Sequence, residues 1–154
     1  MTPDYNKHLS RAMAYCAKGE KCEHDVAEKL QEWGADASDI QPIIDHLVEE
    51  RFVDNARYAR AYANDKLRFN QWGRRKISIM LASKRVDRAD IDAALTALAD
   101  DVYYQALVDL LTAKARATKF DDPYRLRMTI FAHAVRRGFE PSLINEALVE
   151  VLAK

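Results

Sequence analysis

The sequence predicts an all-α fold, an elongated array of three tandem three-helix repeats with about nine helices. Three observations carry this expectation. The 154 residues are rich in Ala, Leu, Lys, Arg, Glu and Asp but hold only four Gly and four Pro, too little turn material for a sandwich or barrel with a turn every ~8 to 12 residues. Apolar side chains recur at helical spacing, not in alternation. The third observation is an internal repeat: Val26 to Leu47 superposes without gaps on Ile77 to Leu98 and on Ile130 to Val151. Six positions match across the copies: Val26, Ile77 and Ile130; Leu30, Leu81 and Ala134; Asp36, Asp87 and Glu140; Ile40, Ile91 and Ile144; Ile44, Leu95 and Leu148; Leu47, Leu98 and Val151.

Each copy reads as a helix, a bend and a second helix. Apolar residues at i and i+4 (Val26 and Leu30; Ile77 and Leu81) close the first. A polar bend follows, holding Trp33-Gly34, Lys84-Arg85 or Arg137-Gly138, and the two glycines suit a helix C-terminus that needs positive φ. Asp36 and Asp87 are good N-caps for the next helix and Glu140 a weaker one, with Pro141 tolerated in the first turn. Ile40, Ile43, Ile44 and Leu47 then form an i, i+3, i+4, i+7 stripe that must be buried. A further helix precedes each copy. Leu9 to Ala14 resembles Tyr58 to Ala63, which makes Ala12 and Ala61 close-approach positions, and the third begins near Tyr103 and runs through Leu107 and Leu111. The expected units are 1–54, 55–100 and 101–154, each near the lower size limit for independent folding and so expected to pack on its neighbours.

Formal net charge is zero, which taken alone disfavours nucleic-acid and membrane partners. By region the balance is different. Residues 1–54 sum to −6, 55–88 to +8 and 89–154 to −2. The ten cations of the middle are Arg57, Arg60, Lys66, Arg68, Arg74, Arg75, Lys76, Lys84, Arg85 and Arg88, opposed there only by Asp65 and Asp87. A helix from Asp54 to about Phe69 would place Tyr58, Tyr62 and Phe69 on an apolar, core-packing face and Arg57, Arg60, Asn64 and Arg68 on a cationic one. The linker Asn70-Gln71-Trp72-Gly73 leads into a helix that opens with Arg74-Arg75-Lys76, against the preference of a helix N-terminus for negative charge. Three cations beside Trp72 suit phosphates or carboxylates, and Trp72 either plugs a repeat junction or anchors a partner.

The run Phe52-Val53-Asp54, Arg57-Tyr58-Ala59, Ala61-Tyr62, Lys66, Trp72-Gly73, Lys76-Ile77 and Leu81 resembles the signature block of the RecX family of recombinase regulators. Lys29-Leu30, Trp33-Gly34 and Leu47-Val48-Glu49-Glu50 before it, and Arg137-Gly138-Phe139, Ile144 and Ala147-Leu148 after it, fall where that family's first and third repeats would place them. The resemblance spans about Leu9 to Leu152 and implies the three-by-three helical architecture. It also implies a cytoplasmic regulator, mostly an inhibitor, that lies along the groove of the RecA filament on single-stranded DNA and restrains its ATPase, strand exchange and co-protease activity. This chain departs from many members at Asn70-Gln71 and at Arg74, where they carry a Gly before the aromatic and a Pro after its glycine. The expected partner-contacting residues are Arg57, Arg60, Lys66, Arg68, Trp72, Arg74, Arg75, Lys76, Lys84 and Arg85. RecA is the expected partner and single- or double-stranded DNA a further one, with the chain itself a monomer.

No chemistry is expected of this chain, and no cofactor. Cys16, Cys22, His8 and His24 lie close in sequence but without metal-ligand spacing, and Glu49-Glu50, Asp100-Asp101 and Asp121-Asp122 read as solvated or capping acids. Two cysteines make no disulfide scaffold, and no window reaches the ~18 to 20 apolar residues of a membrane span. The alternative to a filament regulator is a helical-repeat protein that binds nucleic acid directly. For either, changing Arg74 and Arg75 together to Glu is expected to abolish partner binding and leave the melting temperature nearly unchanged, since exposed charges carry little stability.

Overall fold

The computed structural model describes residues 1–153, and among them are nine α-helices and no strand. They are α1 (Tyr5–Ala17), α2 (Glu23–Glu32), α3 (Ala37–Glu49), α4 (Asn55–Asn70), α5 (Arg74–Ser83), α6 (Arg88–Thr96), α7 (Asp100–Ala117), α8 (Pro123–Arg136) and α9 (Pro141–Leu152). Within each successive triplet every helix packs on the other two. Between triplets the one substantial helix pair among the described residues is α4 against α7.

The repeat has a backbone basis. After α2, α5 and α8 the chain turns through one left-handed residue, with φ of 80° at Gly34, 60° at Arg85 and 97° at Gly138. In each copy the amide just after the left-handed residue reaches back to the equivalent carbonyl: Ala35 to Leu30 at 2.9 Å, Val86 to Leu81 at 3.3 Å and Phe139 to Ala134 at 3.2 Å. This pairing satisfies orphan carbonyls at the helix end. Arg51 ends α3 in the same way, with φ of 63° and an amide bond from Phe52 to the Leu47 carbonyl. Arg51 and Arg85 therefore occupy positions where a Cβ costs about 1 kcal/mol or more. The next helix starts at Asp36, Asp87 or Glu140. Only Asp36 caps with its side chain, accepting from the Ser38 amide at 2.9 Å; Asp54 does the same for α4, from Arg57 at 3.0 Å.

Two sequence expectations shift. Ala61 is only half-buried, while Ala59 and Ala63 are fully buried. The first-helix pairing is therefore two residues out: Ala12 corresponds to Ala63, in the same register that relates Val26 to Ile77. Phe69 is 80% exposed, although Tyr58 is buried and Tyr62 half-buried. The buried stripe of α4 is Ala59, Ala63 and Leu67, and Phe69, in the last turn, lies roughly 120° round from Ala63 at ~100° per residue.

There are two separate cores. Ala12, Val26, Leu30, Ile43, Ile44, Leu47 and Val53 form one within the first triplet. The second and third triplets share the other, which runs from Ala59 and Leu67 through Ile77, Leu81 and Ile91 to Leu107, Ile130, Phe139 and Leu148. The junction of the latter two is closed at the backbone. A Cβ on Gly73 would lie 2.4 Å from the carbonyl carbon of Gly138, and one on Gly138 would lie 2.5 Å from the Lys76 backbone nitrogen. Gly34, at the same place in the first repeat, has nothing within 4 Å. Gly138→Ala is expected to cost about 3 kcal/mol, combining overpacking with left-handed strain, and Gly34→Ala only about 1 kcal/mol from strain alone. Urea unfolding of the two variants checks the difference, and equal losses would contradict the close approach.

Candidate partner-binding face of the middle repeat

The ten expected contact residues divide into three groups. Lys66, Trp72 and Lys76 come together. Lys66 projects from the last turns of α4, Trp72 sits in the linker and Lys76 lies in the first turn of α5. The Lys66 ammonium is 4.9 Å from the Trp72 ring centroid and that of Lys76 is 4.5 Å away. Tyr62 flanks the indole at 6.4 Å between centroids. Trp72 is half-buried against the shared core, so it both plugs the junction and offers an aromatic surface between two cations. Arg137, which is not among the ten expected contacts, joins this cluster by donating to the carbonyls of Asn70 and Gln71.

Arg74 belongs to a second group, and here the expectation of an exposed cation fails. Its guanidinium lies 3.7 Å from the centroid of the Tyr103 ring and bonds Glu140 at 2.9 Å, with Asp100 at 3.3 Å. Its backbone amide donates to the Tyr103 hydroxyl at 2.9 Å, and that hydroxyl donates to Glu140. Burial, reinforced by the hydrogen bond to Glu140, pushes the Tyr103 hydroxyl well above its ordinary pKa and keeps it a donor. The anionic group that compensates for cations at the start of α5 is thus Glu140 of the third repeat. Its poor suitability as an N-cap was the available signal, since it makes no cap bond and serves Arg74 instead.

Arg57 and Lys84 are also committed internally. Arg57 pairs with Glu20 and donates to the carbonyls of Arg51 and Phe52. Lys84 pairs with Asp25 at 2.6 Å. Their acidic partners raise both pKa values, which holds the two side chains charged.

The remaining four, Arg60, Arg68, Arg75 and Arg85, are exposed. Among the described residues, no carboxylate lies within 4 Å of these four, of Lys66 or of Lys76. Arg85 holds its charge outward from a strained left-handed turn that two sister copies give to glycine. On α5, Arg75 stands one turn from Ile79, which is 68% exposed.

No comparable assembly suggests chemistry. Cys22 is buried and accepts from the Asp25 amide as the cap of α2, and burial pushes its thiol up to about 11. His24 pairs with Glu28. Among the described residues no three His, Cys, Asp or Glu are gathered as metal ligands, and no helix is long and apolar enough to cross a membrane. A cavity of about 550 Å³ is lined by third-repeat residues such as Val108, Phe120, Leu126 and Val151, with Arg116 and Glu150 the charged groups.

Residues 54–95 match the family model described as RecX, second three-helix domain. The regulatory protein RecX of Clostridium acetobutylicum is 28% identical over 149 residues, covering 94% of this chain and 69% of that protein. That of Prosthecochloris aestuarii is 26% identical over 151 residues, covering 97% and 96%. The crystal structure of RecX from Lactobacillus salivarius superposes with a TM-score of 0.87 at 20% identity over the whole of both chains, a likeness of fold.

The division of the cations predicts split effects. Arg74→Glu should lower stability by about 2 kcal/mol or more, because it leaves Glu140 and Tyr103 without their partner and adds a like charge beside them. Arg75→Glu should stay within about 0.5 kcal/mol of the parent. Thermal unfolding of the single variants checks this, and an unaffected Arg74→Glu protein would contradict the buried network.

Proposed function

This chain belongs to the RecX family of regulatory proteins, and from that premise we propose that it regulates RecA, binding RecA filaments on single-stranded DNA along the filament groove. In this reading it restrains ATP hydrolysis, strand exchange and co-protease activity, and acts in the bacterial cytoplasm in recombination, repair and the SOS response. It is a monomeric binding protein without catalysis of its own. Its working units are 1–54, 55–100 and 101–154, and the second carries the contact.

The observation that supports this most is the set of unpaired cations in the segment that matches the family model. Lys66 and Lys76 flank Trp72, and among the described residues no carboxylate pairs with Arg60, Arg68, Arg75 or Arg85. Among the described residues, folding has used Arg57, Arg74 and Lys84 and left these six without a counterion. A side chain kept charged and unpaired at a backbone cost, as at Arg85, is better explained by an external anion than by stability. Acidic protein surface and DNA backbone both supply such anions, and an aromatic ring between two cations is the kind of hot spot that anchors a partner.

A second reading, direct binding of single-stranded nucleic acid, draws on the same cluster, because a ring flanked by cations can stack a base while its neighbours hold phosphates. Salt separates the two. Direct binding predicts affinity for naked single strands that falls by ~0.7 log unit per log unit of salt for each phosphate neutralised. The RecA reading predicts that substoichiometric protein lowers the RecA ATPase rate on single-stranded DNA. Lys66→Glu with Lys76→Glu should raise the concentration needed about tenfold, equivalent to ~1.4 kcal/mol, with helix content unchanged by circular dichroism. An ATPase rate indifferent to the parent protein at low salt would refute the proposal.

A further inference from the structure

The two junctions between triplets are built from different materials. The second carries the Arg74–Glu140 pair, but it is also bonded backbone to backbone and one apolar core runs through it. At the first, no residue belongs to both cores. Cys22 and Tyr58 are buried there, at 0% and 7% exposure, yet neither is part of either core. The first triplet is held to the second by three side-chain pairs, each with its acidic member in the first. Lys84 bonds Asp25 at 2.6 Å, Arg57 bonds Glu20, and Asn55 exchanges two 2.9 Å hydrogen bonds with Glu23, one from the Glu23 amide and one to its carboxylate. The ion pairs are partly open to water, with side-chain exposures of 32% and 17% for Lys84 and Asp25 and 37% and 31% for Arg57 and Glu20.

Charge pairs of this kind are weakened by salt and by competing anions, whereas an apolar junction is not. The formal charges of residues 1–54 and 55–88, −6 against +8, act in the same sense over longer range. We propose that this junction is an electrostatic latch in which the acidic first repeat covers Arg57 and Lys84 and is displaced from them by a polyanion. In the latched state four exposed arginines and the Lys66–Trp72–Lys76 cluster are available, and opening adds two further cations. The latch rests on the reading of the middle repeat as the partner-binding segment, but its opening can be observed without any partner.

The test uses the full chain with fluorophores on non-cysteine unnatural residues. One pair, at exposed Ser38 and Thr129, spans the latch. A control pair, at exposed Ala93 and Thr129, spans only the shared core. The expected result is a Ser38–Thr129 distance distribution that is narrow at low salt and broadens toward about 1 M salt, where the Debye length is ~3 Å. Glu20→Gln with Asp25→Asn should broaden it already at low salt, and the control pair should be unmoved by either change. The same variant keeps every middle-repeat cation and should bind oligothymidylate about threefold to tenfold more tightly. A Ser38–Thr129 distribution that stays narrow in high salt and in the variant would overturn the latch, as would opening of a protein that binds oligothymidylate with no gain in its affinity. If neither protein bound oligothymidylate or a RecA filament while opening still followed salt, the latch would stand and the partner-binding reading would fall.

Discussion

The arrangement of the second and third repeats depends on the contact between the start of α5 and the turn between α8 and α9. A helix start exposes amides that need acceptors. In α5 two of these needs are met from sixty-odd residues away: the Gly73 amide bonds the Arg137 carbonyl at 2.8 Å and the Arg75 amide bonds that of Gly138 at 3.0 Å. Backbones can come so close only because neither Gly73 nor Gly138 has a Cβ. Phe139, fully buried beside the turn, meets Tyr103 at 5.2 Å between ring centroids, and Tyr103 carries Arg74 on its face. One close backbone approach thus fixes the linker, orients Trp72 between its lysines and determines which cation of the Arg74-Arg75-Lys76 run turns inward.

The same contact explains why a strongly basic segment is not uniformly basic at its surface. Each cation of the middle repeat is assigned by what folding places beside it. Third-repeat Glu140 takes Arg74, first-repeat acids take Arg57 and Lys84, Asp92 takes Arg88, Lys66 and Lys76 lie against Trp72, and four arginines face water. The zero net charge of the chain is therefore only partly realised as internal pairing, since among the described residues six cations of the block that resembles the RecX second domain have no carboxylate within 4 Å.

Much of this was legible in the sequence where a local interaction decides the structure. The left-handed turns at Gly34 and Gly138, the N-caps Asp36 and Asp54 and the buried repeat positions Val26, Ile77 and Ile130 all follow from neighbours within a few residues. What could not be read were choices made by distant groups. Nothing near Arg74 in sequence distinguishes it from Arg75; the difference is Tyr103 and Glu140. Gly34 and Gly138 occupy one repeat position, yet only the latter is pressed against another helix. Phe69 shares a helical face with the half-buried Tyr62, but the stripe that packing buries on α4 is Ala59, Ala63 and Leu67, and Phe69 lies outside it. The register slip between Ala61 and Ala63 has a similar source, because the alanine-rich first helix offers several equally apolar alignments and packing selects one.

The contact at Gly138 also orders the events of synthesis. Every core residue of the first repeat lies within the first 53 positions, so that repeat can complete its packing soon after it leaves the ribosome. The middle repeat cannot. Its α5 start, its indole and the inner face around Ile77 wait for a turn more than sixty residues further along the chain, and elongation at ~5 to 20 residues per second leaves that surface open for several seconds. During that interval the nascent chain presents a basic, partly apolar helix pair while a finished acidic repeat lies directly before it. An intramolecular acidic neighbour, already folded, is well placed to shield that helix pair from ribosomal RNA and from other unfinished chains until the third repeat closes over it.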